Sequence, residues 1–383
     1  MIVSKLLSFS DRSALEAVSR RWRSASQQCP SPPLPIILNA DLTMTNVFAE
    51  GPGSAPLQMS SNVRHPRDHQ ITCLGSLGSL IIMAYDYWNP NVNLALPHTH
   101  CVLVQPLNGS TFKLPSPCAF ELEGLSISVP IVGAAGRFNF YQPLKACALR
   151  LKKGIVSQST SPSDCIVAAL ATERGAHHLV FTTPVMSSWY ILSAEFITIG
   201  ADIEFLGDKI IVLGGNQEEV YQIDFGPDLS FFPIVCEIKR CLVLNLPQVE
   251  DTQQQLNLIR AGDDLLVVAR YFTLNWDQLT EVRLYQLDPI GWTVKQIHTL
   301  GERSILVSLS SSQSIAAVSG EIDPKADHLY FLDLYCPHFF PGEEDNFSYR
   351  SQVYNMRDGA ITELLIGTGR GSRGPGFPMW IFP

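Results

Sequence analysis

The chain has 383 residues, 46% of them apolar and only 16% charged, with a formal net charge of −9. This balance describes a globular protein with much buried strand, and its acidity argues against a nucleic-acid partner, which would require a basic face. No apolar run approaches the roughly 18 to 20 residues of a membrane-spanning helix, so no membrane is expected as a partner.

Residues 1–29 carry a helical pattern found nowhere later. Ile2, Val3, Leu6 and Leu7 form the apolar stripe of a short amphipathic helix, and Ser10-Asp11 supplies an N-cap signal for a second. On that second helix Ala14, Leu15, Val18 and Trp22 recur at three- and four-residue spacing, until Pro30, Pro32, Pro33 and Pro35 stop it. Two helices this short bury too little surface to stand alone and must pack on the body or on a partner. Read from the residues, the segment is an interaction module, a helical cap, or an Arg- and Ser-rich transit peptide; Asp11 and Glu16 count against the last. A secretory signal is not expected, because Lys5 interrupts the apolar start and no small-residue cleavage site follows. Nine cysteines, an odd number without CxxC pairs, fit a reducing compartment, so a cytoplasmic or nuclear protein without disulfides is expected.

Residues 30–62, rich in Pro, Gly and Ser, read as a linker in which 34–38 is a candidate strand. The main domain is placed at 63–383. From Ile71 onward strand-sized apolar runs recur, each closed by turn residues, and few helix-length periodic segments intervene. That excludes a βαβ architecture and leaves a sandwich, barrel or propeller. So many short strands exceed one ordinary sandwich, whereas blades of about 40 to 50 residues divide the chain into roughly six or seven. The expected fold is therefore mainly β: a β-propeller of roughly six or seven blades preceded by a short α-helical segment. A weak internal rhythm supports blades. GDKIIVL…EEVYQIDF from Gly207, GDDLLVVAR…EVRLYQLD from Gly262 and ADHLYFLD from Ala326 share one order of turn, buried strand, gap and alternating strand ending in Asp.

The run DRSALEAVSRRWRSAS at 11–26 resembles the second half of a plant F-box. The body resembles the domain-of-unknown-function 295 propeller that plant F-box proteins often carry. Segments that match it in order include Cys73-Leu74-Gly75-Ser76, Pro106-Leu107-Asn108-Gly109, Ser163-Asp164-Cys165, Tyr285-Gln286-Leu287-Asp288 with Trp292, and Pro378-Met379-Trp380-Ile381. The resemblance implies a non-enzymatic, cofactor-free substrate-recognition subunit of an SCF-type E3 ubiquitin ligase. In such a subunit Ile2, Leu6, Leu7, Leu15, Val18 and Trp22 would dock on a Skp-type adaptor, while the propeller holds an unknown target protein. A complete F-box opens with a Leu-Pro element that does not precede the first helix here. The resemblance then implies weakened adaptor docking, and a stand-alone propeller scaffold without ligase coupling is the alternative.

Other motifs point to no chemistry. Gly369, Gly371 and Gly374 match GxGxxG, but Pro375 and Pro378 follow where a phosphate-binding helix would have to start. His98, His100 and Cys101, and the His65/His69 pair, are of metal-ligand type. Pro66 breaks the helix that the latter spacing needs, and all five, like His177-His178, read as loop or strand residues. There is no GxSxG elbow. Glu343-Glu344-Asp345 reads as a solvated acidic loop. Trp189, Trp276, Trp292 and Trp380 read as core or blade-edge aromatics, any exposed one being a candidate interface anchor.

Overall fold

In the computed structural model the described residues are 36–38, 43–45, 57–58, 69–77, 80–87, 98–105, 110–116, 118–119, 126–132, 137–141, 147–148, 150–157, 165–173, 176–186, 189–193, 197–198, 201–214, 218–225, 235–276, 278–308, 310–317, 324–335, 348–364 and 379–381. Among them the chain forms strands and turns and no helix. The helical segment expected at 1–29 lies outside the described residues.

Three short strands, β1 (Ile36–Leu38), β2 (Thr43–Thr45) and β3 (Leu57–Gln58), fall within the stretch read as a linker. β4 (His69–Leu77), β5 (Leu80–Tyr87), β6 (His98–Gln105) and β7 (Ser110–Lys113) form an antiparallel sheet, and β8 (Cys118–Ala119) pairs with β11 (Cys147–Ala148). Between these two lies the hairpin of β9 (Ser126–Val132) and β10 (Arg137–Tyr141). Then come β12 (Arg150–Val156), β13 (Val167–Glu173), β14 (Ala176–Thr182) and β15 (Tyr190–Ser193), followed by β16 (Asp202–Leu206), β17 (Lys209–Leu213), β18 (Glu219–Phe225) and β19 (Val235–Val243). The next sheet is β20 (Thr252–Ala261), β21 (Asp264–Thr273), β22 (Leu279–Asp288) and β23 (Thr293–Ile297). The last contains β24 (Arg303–Ser308), β25 (Ser312–Ala316), β26 (His328–Tyr335), β27 (Ser348–Asn355) and β28 (Ile361–Glu363). Finally β29 (Met379–Ile381) returns to pair with β1.

The sheets follow one another in a circle. β4 lies beside β12, β12 beside β16, β16 beside β20, β20 beside β25, and β29 beside both β24 and β4. Mainly antiparallel sheets arranged around an axis in this way make a β-propeller. Among the described residues it is built from five sheets of four or more strands, which corrects the six or seven blades expected from chain length. The physical reason is the β9–β10 hairpin. β10 pairs with β15 and β9 runs parallel to β19, so β12–β15 and β16–β19 join into one ten-stranded sheet that supplies two inner strands.

Low charge content follows from the packing. In β21, residues 265–272 are all buried, but they serve two cores. Leu265, Val267, Ala269 and Tyr271 pack on one side, against Leu256, Leu258, Tyr285 and Leu287 among others. Leu266, Val268 and Phe272 pack on the other, against Ile305, Val307 and Phe331 of the last sheet. A strand sandwiched between neighbours loses its polar face, and each such side chain contributes about 1.5–3 kcal/mol through burial. The glycine turns fit the same plan. Gly207 (φ 62°) and Gly262 (φ 72°) start β17 and β21 from the left-handed region, where a Cβ is disfavoured.

Near the axis the strands approach closely. A Cβ on Gly75 of β4 would lie 1.8 Å from the Gly154 carbonyl oxygen of β12. The ring is closed by Trp380 on β29, fully buried, whose indole N–H donates to the Val307 carbonyl at 3.3 Å. Ser76 Oγ donates to the Trp380 carbonyl at 3.1 Å and lies 2.9 Å from Ser311 Oγ.

Candidate interaction surface and axial charge cluster

Two features stand apart from the apolar interior. The first is a set of charged side chains on the inner strands. Lys153 on β12 and Asp202 on β16 form a buried ion pair, and Asp202 also accepts hydrogen bonds from the Ile203 and Leu258 amides, both at 2.8 Å. One carboxylate thus ties β12, β16 and β20 together, with its acceptors occupied as a buried charge requires. Two residues on, Glu204 keeps partial contact with solvent and accepts from the Phe205 amide at 2.9 Å. Burial pushes its carboxyl up to about 7, with Asp202 adding to the rise and Lys153, the Phe205 amide and Arg260 opposing it.

The second feature is a surface at the start of β20 and the β21–β22 turn. Tyr271 hydroxyl donates to the Pro247 carbonyl at 3.1 Å, which holds the 244–251 connection against the sheet. Burial pushes the Tyr271 phenol up to about 12, so it remains a neutral donor. Arg283, ion-paired with Glu281, lies over the Tyr271 ring at 5.1 Å. The turn itself is closed by the Thr273 amide donating to the Gln278 carbonyl at 2.9 Å and the Trp276 amide donating to the Thr273 carbonyl at 2.8 Å.

Trp276 sits at φ 60°, a conformation that costs an ordinary L-residue roughly 1–2 kcal/mol. Its side chain is 48% exposed and that of neighbouring Leu274 is 55% exposed. The indole is not loose: its centroid lies 5.5 Å from the Phe272 ring. Beneath Phe272, the fully buried Arg270 guanidinium lies 5.5 Å from that ring and 4.9 Å from Phe331, and donates to Asn257 Oδ1 at 3.1 Å. A column of Trp276, Phe272, Arg270 and Phe331 therefore runs from the surface into the core. Such a rigid, half-exposed aromatic can bury large area in a partner at little entropic cost.

The residues nominated from sequence fall in three groups. Ile2, Leu6, Leu7, Leu15, Val18 and Trp22, the adaptor-docking face, lie outside the described residues, as do the glycine loop at 369–374 and the acidic run at 343–345. Trp189 and Trp380 are core residues, Trp292 is partly buried, and Trp276 is exposed. On β6, His100 is exposed while Cys101 is buried, so these neighbours point to opposite faces. Among the described residues no three His, Cys, Asp or Glu side chains gather as a metal site. A cleft of about 40 Å3 between β22–β23 and β26–β27, lined by Val282, Leu284, Ile297, Leu329, Tyr354 and Met356 together with the polar Arg283, Gln296 and His298, has room for a water molecule or two. No helix among the described residues is long and apolar enough to cross a membrane.

Comparison with known families places these features. The model of the KIB1-4 beta-propeller family matches residues 54–355. The chain belongs to that family. Both the axial cluster and the Trp276 surface lie inside the KIB1-4 beta-propeller match, whereas β1, β2, β28 and the closing strand β29 lie outside it. No curated protein matches the sequence. Among solved structures, the chain is similar to TolB from Acinetobacter baumannii, at 12% identity and a TM-score of 0.39 over 94% of this chain and 72% of that one. It is similar to an alpha-L-arabinofuranosidase of Fusarium graminearum, at 8% identity and a TM-score of 0.33 over 77% and 96%. The beta-propeller domain of the Trilobed protease from Pyrococcus furiosus aligns at 11% identity and a TM-score of 0.30 over 78% and 96%. Likenesses this distant assign nothing to this chain.

Sequence reasoning named Trp276 only as one of four aromatics and passed over Leu274 and the axial cluster. The available signal was a large aromatic in the polar turn TLNWDQ between two strand-sized runs. Lys153 and Asp202, 49 positions apart, carry no local signal at all.

Proposed function

We propose that this chain is a target-recruiting subunit whose propeller grips a protein partner through the Trp276 surface. The observation that carries this reading is Trp276 itself: a bulky residue kept at positive φ, with its indole braced on Phe272 and half exposed. Backbone strain retained at an exposed aromatic is what a pre-organised contact residue requires, and the interior gains little from it.

In its finer form, residues 1–29 couple the propeller to an SCF-type E3 ubiquitin ligase by docking Ile2, Leu6, Leu7, Leu15, Val18 and Trp22 on a Skp-type adaptor. Support comes from the likeness of residues 11–26 to the rear half of a plant F-box, and from the propeller that follows. The reading needs no catalytic residue and no cofactor. Co-purification of the full chain with a Skp-type adaptor tests it. Adaptor should be retained by the native chain and lost with Leu7→Asp combined with Trp22→Ala; full retention by that variant refutes the docking face. A chain that binds a target through Trp276 but never the adaptor is a propeller scaffold without ligase coupling.

A further inference from the structure

Resting on the interaction reading above, we propose that the partner segment received at Trp276 is basic: an aliphatic or aromatic anchor flanked by lysine or arginine. Leu274 and Trp276 supply the apolar contact. Thr252 pairs with Thr273 across β20 and β21, so Glu250 and Asp251, which precede Thr252, border the turn that begins at Leu274. Both acids are exposed, and neither has a hydrogen-bond or ion-pair partner among the described residues.

Among the described residues, compensating cations are scarce on this side. Arg283 is engaged with Glu281 and with the Tyr271 ring. Arg270 is buried in the aromatic column, and Arg260 lies toward the opposite end of β20, donating to the Gly262 carbonyl. The sequence contains no lysine between Lys239 and Lys295. An apolar anchor bordered by two exposed carboxylates favours cationic flanks, and it repels an acidic segment of the same shape. Because these charges are solvated, the preference acts on selectivity and association rate and weakens with salt.

The probe is a short synthetic peptide with a central Leu-Phe pair flanked by lysines, against the same peptide with glutamate in place of each lysine. Binding to the full chain is read by fluorescence anisotropy at low and at physiological salt. The lysine peptide is expected to bind at least ~10-fold tighter at low salt, with most of that preference lost in the Glu250→Gln, Asp251→Asn double variant. Asparagine tolerates the left-handed φ of 56° at position 251, so the fold is preserved. A preference that survives the double substitution reflects only the net charge of −9 and overturns the proposal. Equal binding of both peptides, weakened about tenfold by Trp276→Ala, overturns the basic chemistry and leaves the interaction reading standing. If Trp276→Ala, with an unchanged thermal melt, alters neither, the interaction reading falls with it.

Discussion

Substituting Glu204 by Gln should make the propeller more stable at neutral and alkaline pH while leaving its stability in acid unchanged. The carboxyl stands on β16 two residues from Asp202, and burial raises it from the ordinary 4.5 to about 7. Between those values the folded chain holds a proton that the unfolded chain has released. Stability therefore falls as pH rises through that window: the site costs nothing below the unfolded value, and its full penalty is present above about 7. At about 1.4 kcal/mol per pH unit the ceiling is roughly 3 kcal/mol, and because Glu204 keeps some contact with water we expect about 1–2 kcal/mol. Glutamine copies the protonated acid and can still accept from the Phe205 amide. Urea unfolding of both proteins across pH 4.5–7.5, followed by tryptophan fluorescence, should give coincident stabilities at the acid end and a gap that opens with pH. A variant less stable than the native chain at pH 7.5 would mean that Glu204 is ionised and held by Lys153 and Arg260, and the reasoning would be wrong.

Three further substitutions probe the frame. Gly75→Ala drives a methyl group into the Gly154 carbonyl, where backbone meets backbone, and should cost at least about 3 kcal/mol in urea unfolding; a loss below ~1 kcal/mol would mean that β4 and β12 are not so close. Trp380→Ala should cost about 3–5 kcal/mol and Trp380→Phe only ~1 kcal/mol, since the second keeps the ring and loses the bond to Val307; near-equal effects would deny β29 its closing role. At Asp327 desolvation works against the carboxylate but is outweighed by Thr299, the Leu300 amide and Arg357, which together hold it below the usual range. Its stabilisation is therefore present above the ordinary value and lost in acid, so Asp327→Asn should cost ~1 kcal/mol at pH 7 and nothing at strongly acid pH in thermal melts.

The strands were legible because burial on both faces leaves a plain mark. Leu265, Leu266, Val267 and Val268 have no polar alternation, and Gly207 and Gly262 stand where the backbone must turn with positive φ. A β-propeller followed from those marks. The number of sheets did not, because it depends on what β9 and β10 pair with. Residues 126–132 and 137–141 look like any two strands, and nothing local specifies that they bridge β15 and β19. The parallel pairing of β24 with β26 is hidden for the same reason. At the interaction surface, sequence marks Trp276 as a turn residue between strands. Its exposure is decided by one backbone angle and by the Phe272 ring beneath it, both consequences of tertiary packing.

Site-specific photo-cross-linking tests the account most directly. A photoreactive residue replaces Leu274 beside Trp276 in one protein, and Ile290, exposed beyond the other end of β22, in a second. Both are expressed in cells together with a tagged Skp-type adaptor, and adaptor-bound material is recovered after irradiation. The account predicts a discrete cross-linked protein from position 274, recovered with the adaptor and absent from position 290. The same products from both positions, or none from position 274, would contradict it.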